Sequence, residues 1–190
     1  FFKDERFPFY INRYVIGKGQ IIPSHTHEFV ELVYVVSGNA LHEMSGNRYH
    51  LSAGDVFILE PQAYHSYQGT DTEETIVYNV LFNVEFLRSE LDALKQMPSF
   101  VDFFYLAPFL RKTSSFIPYS PLNDVQKVQI LHHLRAIHDE FNERKEGYQI
   151  IIKTRWIECL VLLGRYHKDN QNAQRNTLSD KERMESIRHF

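Results

Sequence analysis

The sequence predicts a mostly β protein with α: an antiparallel β-sandwich or barrel, followed by an antiparallel helical hairpin. Residues 10 to 83 form short apolar runs rich in Val, Ile, Tyr and Phe, punctuated by Gly, Ser, Asn and Asp. Short strands at such regular spacing are the texture of an all-β domain. After about residue 84 the apolar residues recur every three or four positions, which is the period of helices packed by one face.

The elements follow in order. "YINRYVIGKGQ" is β-rich and closes on Gly17 and Gly19, and "FVELVYVVSGNA" runs to a Ser-Gly-Asn turn. "LHEMSGNRYHL" carries the same tripeptide between two polar-apolar runs, a hairpin signal. "AGDVFILEP" and "TIVYNVLFNV" are each a turn followed by an apolar strand. Phe86, Leu87, Leu91 and Leu94 then take helical spacing as far as Pro98, and residues 99–120, aromatic and Pro-punctuated, carry no assignment. From Pro121 a helix is expected, with Val125, Ile130, Leu134, Ile137 and Phe141 on one face and Gly147 as its stop. A second helix follows with Ile152, Trp156, Cys159, Leu160 and Leu163 inward. The polar stretch 167–180 reads as a linker, and "LSDKERMESIRHF" opens like a capped helix.

Composition narrows the function classes. The chain has 190 residues, 43% hydrophobic and 24% charged, enough for one domain with an appendage. A net charge of -3 gives no electrostatic case for nucleic-acid binding by the chain as a whole. No apolar run is long enough to span a membrane. The opening "FFKDERFPFY" mixes both charge signs early and does not read as a signal peptide. Its lack of Met points to a start inside a longer chain. Lone Cys159 excludes an internal disulfide, and a cytoplasmic protein is expected.

His25, His27 and Glu31 share one parity. If residues 25–31 are extended, all three side chains reach the same face. His65, on a separate predicted strand, can join them by antiparallel pairing. Such a set suits Zn, Ni, Mn or Fe. Metal chemistry, a binding pocket and a polar strand edge all remain open readings of "SHTHEFVE" at this level.

The spacing Gly19, His25-Thr26-His27, Glu31, Gly38 resembles the first cupin motif at every defining position. Gly54 and His65 keep the separation of the second motif, whereas its proline, glycine and closing asparagine positions hold Glu60, Gln62 and Gly69. This resemblance implies a cupin double-stranded β-helix, a jelly-roll barrel. Within the cupins, residues 25–67 resemble the N-terminal part of AraC/XylS-family transcriptional regulators.

That family implies an effector-binding cupin at 1–120 and a helical dimerisation hairpin at 121–168. It further implies, at 169–190, a linker and the start of a truncated helix-turn-helix DNA-binding domain. It implies a homodimer through the hairpin, a small effector of carbohydrate type, and DNA contact only through a further C-terminal domain. Catalysis is not expected. The positions matching metal-holding cupins are His25, His27, Glu31 and His65, for one divalent transition ion. By location near the barrel mouth, His42, Tyr14, Tyr64, Tyr67 and Tyr78 are ligand-contact candidates, since Tyr and His combine an apolar face with a hydrogen-bonding tip. His132, His133 and His138 are expected to be solvated or interfacial. The alternative reading is a metal-dependent cupin enzyme acting on a small polyhydroxylated substrate.

Overall fold

The computed structural model of the chain describes residues 2, 4, 6–44, 46–106 and 122–187, with backbone alone at 105–106 and 174–187. Eight strands come first: β1 (Phe9–Ile16), β2 (Ile21–His25), β3 (Val30–Ser37), β4 (Asn39–Met44), β5 (Asn47–Ser52), β6 (Val56–Leu59), β7 (His65–Gly69) and β8 (Thr75–Phe82). They make two four-stranded antiparallel sheets, ordered β1-β8-β3-β6 and β2-β7-β4-β5. Among the described residues the chain changes sheet at nearly every connection, and only β4 and β5 form a local hairpin. This is the double Greek-key order of a cupin jelly roll.

Glycine is needed where the connections are tightest. Gly38 has a φ of 82°, and a Cβ there would lie 2.2 Å from the Glu74 carbonyl oxygen. Gly69 approaches Gly17 closely enough that a Cβ would lie 2.2 Å from its carbonyl oxygen.

The sheet containing β1 is buried on both faces. In β3, Leu32 and Tyr34 pack towards the helices, while Val33 and Val35 pack towards the second sheet. Hence "LVYVV" is an unbroken apolar run with no alternation, as expected of a strand covered on both sides.

The helical layer differs from expectation in three places. The segment after β8 is not one helix but a 3-10 turn (Val84–Leu87), α1 (Leu91–Lys95) and α2 (Pro98–Val101), continued by a π-turn at Asp102–Leu106. Pro98 opens α2 instead of ending a helix, a position that tolerates its missing N–H. The next helix, α3 (Asp124–Glu143), starts at a reciprocal capping box of Asn123 and Gln126 and ends at Arg144, which takes a left-handed conformation. Its buried face is Gln126, Ile130, His133, Leu134 and Ile137; Val125 is out of phase and 69% exposed.

The last helix, α4 (Tyr148–Ile187), sets Trp156 against Phe9 and Phe82. It runs unbroken through residues 167–180, so the expected linker is helical, and "LSDKERMESI" continues α4 instead of opening a new element. Asn- and Gln-rich composition suggested a linker, yet no Gly or Pro follows Gly164 to break a helix. Residues 107–120 of the unassigned segment, Pro121 at the expected helix start, and 188–190 lie outside the described residues.

Candidate functional site

Strand β2 ends at His25 and β3 begins at Val30; the chain bends at Glu28–Phe29 between them. Residues 25–31 are therefore not one extended strand, as the parity argument required. The bend carries the chain from one sheet to the other and brings His27 back over Glu31. Strand β7 pairs with β2 so that His65 stands opposite His25.

His27 Nε2 lies 3.0 Å from Glu31 Oε2, and His65 Nε2 lies 3.7 Å from the same oxygen. The donor atoms of His27, Glu31 and His65 all fall within 4.8 Å of one another. Outside this triad sits His25, an exposed residue whose ring centroid is 4.2 Å from that of His65.

Each imidazole is oriented by the backbone. Nδ1 of His25, His27 and His65 lies 2.9, 2.8 and 3.0 Å from the carbonyl oxygens of Pro23, Phe29 and Ala63. A carbonyl only accepts, so each Nδ1 carries a proton and each Nε2 is the nitrogen left for another partner. His65 Nε2 is buried with no hydrogen-bond partner among the described residues. Burial holds its imidazole below the ordinary histidine value, against the opposing pull of the Ala63 bond and the Glu31 carboxylate. His27 Nε2 shares a hydrogen bond with Glu31 Oε2, and exchange of that proton for a metal leaves two Nε2 atoms, each aimed by a backbone carbonyl, and a carboxylate oxygen that fit a divalent transition ion.

A cavity of about 320 Å³ opens beside this cluster, between the two sheets. Of the residues expected there, Tyr14, Tyr67, His25, His27 and Glu31 line it. His42 is fully buried behind the wall, stacked between Phe57 and Tyr67 at 4.9 and 4.6 Å. Tyr64 is 68% exposed and lies apart from the cavity. Tyr78 points to the helical side of its sheet, 5.7 Å from His138, and burial raises its phenol above the ordinary value. Its strand neighbours Val77 and Asn79 face the cavity instead.

Tyr10, Asn12, Phe29 and Asn79 also line the cavity and were not foreseen. Parity was the available signal for two of them: Tyr10 and Asn12 share a strand face with Tyr14. His132, His133 and His138 sit on α3, away from the cavity. His133 is buried, 3.8 Å from Glu158, an ion-pair distance too long for a hydrogen bond.

Among the described residues no helix is long and apolar enough to cross a membrane. Similarity to curated proteins is concentrated in part of the chain. It is 33% identical over 82 residues to the HTH-type transcriptional activator RhaR of Enterobacter sp. (strain 638), which covers 43% of this chain and 28% of that protein. It is 34% identical over 80 residues to RhaR of Salmonella choleraesuis (strain SC-B67), covering 42% and 28%. The matches thus span less than a third of the length of these relatives.

A solved protein with a double-stranded β-helix domain, from Klebsiella pneumoniae subsp. pneumoniae MGH 78578, is 28% identical with a TM-score of 0.38, covering 40% of this chain and 68% of that one. Residues 14–160 match the family described as AraC-like ligand binding domain. With that match spanning most of the jelly roll, all of α3 and the first part of α4, the chain belongs to the AraC-like ligand binding domain family.

Proposed function

We propose that this chain is the effector-sensing and dimerisation part of a cytoplasmic AraC-type transcriptional regulator, and that its effector is a sugar or similar small polyhydroxylated molecule. The observation that carries this reading is the cavity of about 320 Å³ inside the family-matched region, walled by tyrosines, amides and imidazoles. That size and mixture suit a small ligand held by ring faces and a few directional hydrogen bonds. In this reading residues 1–120 bind the effector, the hairpin at 121–168 pairs two copies, and 169–190 lead towards a DNA-binding domain. The domain acts by binding and not by turnover.

A path from cavity to hairpin supports the proposed coupling. Tyr10 lines the cavity, and its ring meets Phe141 near the C-terminus of α3 at 5.6 Å, edge to face. An effector that favours one Tyr10 position biases how the end of α3 is held. Its leverage is limited to its difference in affinity for the two arrangements. Phe141→Ala, which leaves the cavity wall intact, is expected to keep effector binding within about threefold, corresponding to roughly 0.7 kcal/mol, while abolishing the effector's influence on operator binding in the intact regulator. Undiminished regulation in that variant removes the Tyr10–Phe141 contact from the path.

The donor triad favours a role for metal, with His27, Glu31 and His65 as the ligands and His25 adjacent. A bound ion would supply a Lewis acid for a ligand hydroxyl. The chain's own contribution is to aim both Nε2 atoms through backbone carbonyls. If the alternative reading as a metal-dependent enzyme holds, the same three residues carry it.

A thermal-shift screen separates these cases, with mono- and disaccharides tested after chelator dialysis and again with Zn, Ni, Mn or Fe restored. An effector at a hundred times its Kd adds about 2.7 kcal/mol of stability. Stabilisation by one sugar class supports sensing. Metal-dependent consumption of the sugar would establish the enzyme instead.

A further inference from the structure

Strand register lays out the cavity-facing side of the doubly covered sheet in rows. Tyr10, Leu81 and Glu31 stand opposite one another across β1, β8 and β3; two residues along the same strands stand Asn12, Asn79 and Val33. Asn12 and Asn79 are direct cross-strand partners, and both line the cavity. Partners in an antiparallel pair have Cβ atoms about 5 Å apart, so the two amides share one patch of wall. From Asn79 to Glu31 the route is one strand across and two residues along, about 8 Å by strand geometry. A single sugar ring with its hydroxyls bridges that span.

Two further observations give this patch a chemistry. Asn79 Oδ1 is buried and has no hydrogen-bond partner among the described residues. A buried acceptor left unmatched is unfavourable until a donor reaches it. The cavity wall carries no Lys or Arg among the described residues, and its one acidic residue is Glu31. With no ion on the donor triad, a carboxylate or phosphate placed there would meet a negative charge with no fixed cation to offset it.

We propose that Asn12 and Asn79 form an amide subsite that takes the hydroxyls of an uncharged, monosaccharide-sized polyol and sets the cavity against sugar acids and sugar phosphates. Each amide offers an oxygen that accepts and an N–H pair that donates. Two side by side match a pair of adjacent hydroxyls acting in both senses. This rests on the effector-sensing reading and adds to it the chemistry of recognition.

The test is calorimetric titration of the chelator-dialysed chain. Glucose, galactose, mannose and xylose are compared with glucuronate, galacturonate and glucose 6-phosphate. At least one neutral sugar is expected to bind, with its acid or phosphate counterpart at least tenfold weaker. Asn12→Ala and Asn79→Ala should each weaken the neutral sugar about tenfold. A deoxy analogue lacking the recognised hydroxyl should bind the wild type and the variants alike, which a merely structural role for the amides would not produce.

Equal or tighter binding of the charged sugars overturns the proposal, and that comparison needs no variant. Folded Ala variants with unchanged affinity also overturn it while leaving the sensor reading intact. Absence of binding by every sugar removes both the subsite and the carbohydrate effector.

Discussion

Gln62 has a φ of 64°, a left-handed backbone that costs a residue with a Cβ about 1 kcal/mol or more. Its N–H donates to the His27 carbonyl oxygen at 2.7 Å, so this strained residue holds the loop before β7 against the donor cluster. The position is the one where the second cupin motif carries glycine, the residue type that this conformation favours. Gln62→Gly is expected to stabilise the chain by about 0.5–1 kcal/mol, the relief being partly offset by a freer unfolded chain. Gln62→Val should destabilise it by about 1 kcal/mol or more, because a branched side chain tolerates this region poorly. Denaturant midpoints of the two variants check both signs.

The donors themselves were legible as residue types at motif spacing. Their route together was not: the parity argument needed an extended 25–31, whereas His27 reaches Glu31 because the chain bends between sheets. No local pattern marks a crossing of that kind.

Strand faces were legible only where one side meets solvent. In β8 every residue is buried or half-buried, so no alternation tells which neighbours face the cavity. Tyr78 was therefore assigned to the wrong side and Asn79 overlooked. The helices show the complementary limit. Periodicity identified Ile130, Leu134, Trp156 and Leu163, but it fell silent where α4 becomes polar, although the helix continues.

Two buried histidines make this layer sensitive to pH. Burial lowers the imidazoles of His133 and His167 below their ordinary 6.5; Glu158 and Asp102 pull the other way without cancelling it. The folded chain thus binds fewer protons than the unfolded one near and below pH 6.5. Their stabilising contribution is complete above that value and is lost as pH falls through 6.5 and the lowered folded values. The melting temperature should drop between pH 7.5 and pH 5.5, and His167→Gln should flatten that slope. An identical slope in the variant assigns the pH dependence elsewhere.

At the scale of the molecule, one hydrophobic cluster runs from the outer face of the first sheet into the helices. It joins Leu32, Tyr34, Val80 and Phe82 to Leu134, Trp156 and Leu160. The change of sequence texture near residue 84 therefore marks a change of secondary structure inside a continuous core. A chain ending at residue 106 would expose that sheet face to water, leaving a large apolar patch of the kind that drives association. It is expected to aggregate or melt without a cooperative transition, whereas residues 1–190 should unfold in a single one. Scanning calorimetry of both lengths decides the matter; a sharp transition in the short form would show that the jelly roll stands alone.

The doubly covered sheet also separates two tasks by nothing more than odd and even numbers. On β1 the even positions 10, 12 and 14 meet the cavity while Phe9 and Ile11 meet the helices; on β8 residues 77, 79 and 81 meet the cavity while 78, 80 and 82 meet the helices. Tyr10 also reaches Phe141 of α3, so a library confined to the other five cavity positions can be recoded for new ligands with every helix-facing neighbour untouched. On the proposed sensing role, the chain thereby offers a biosensor scaffold in which input chemistry is rewritten codon by alternate codon and the contact that carries the output is left as it stands.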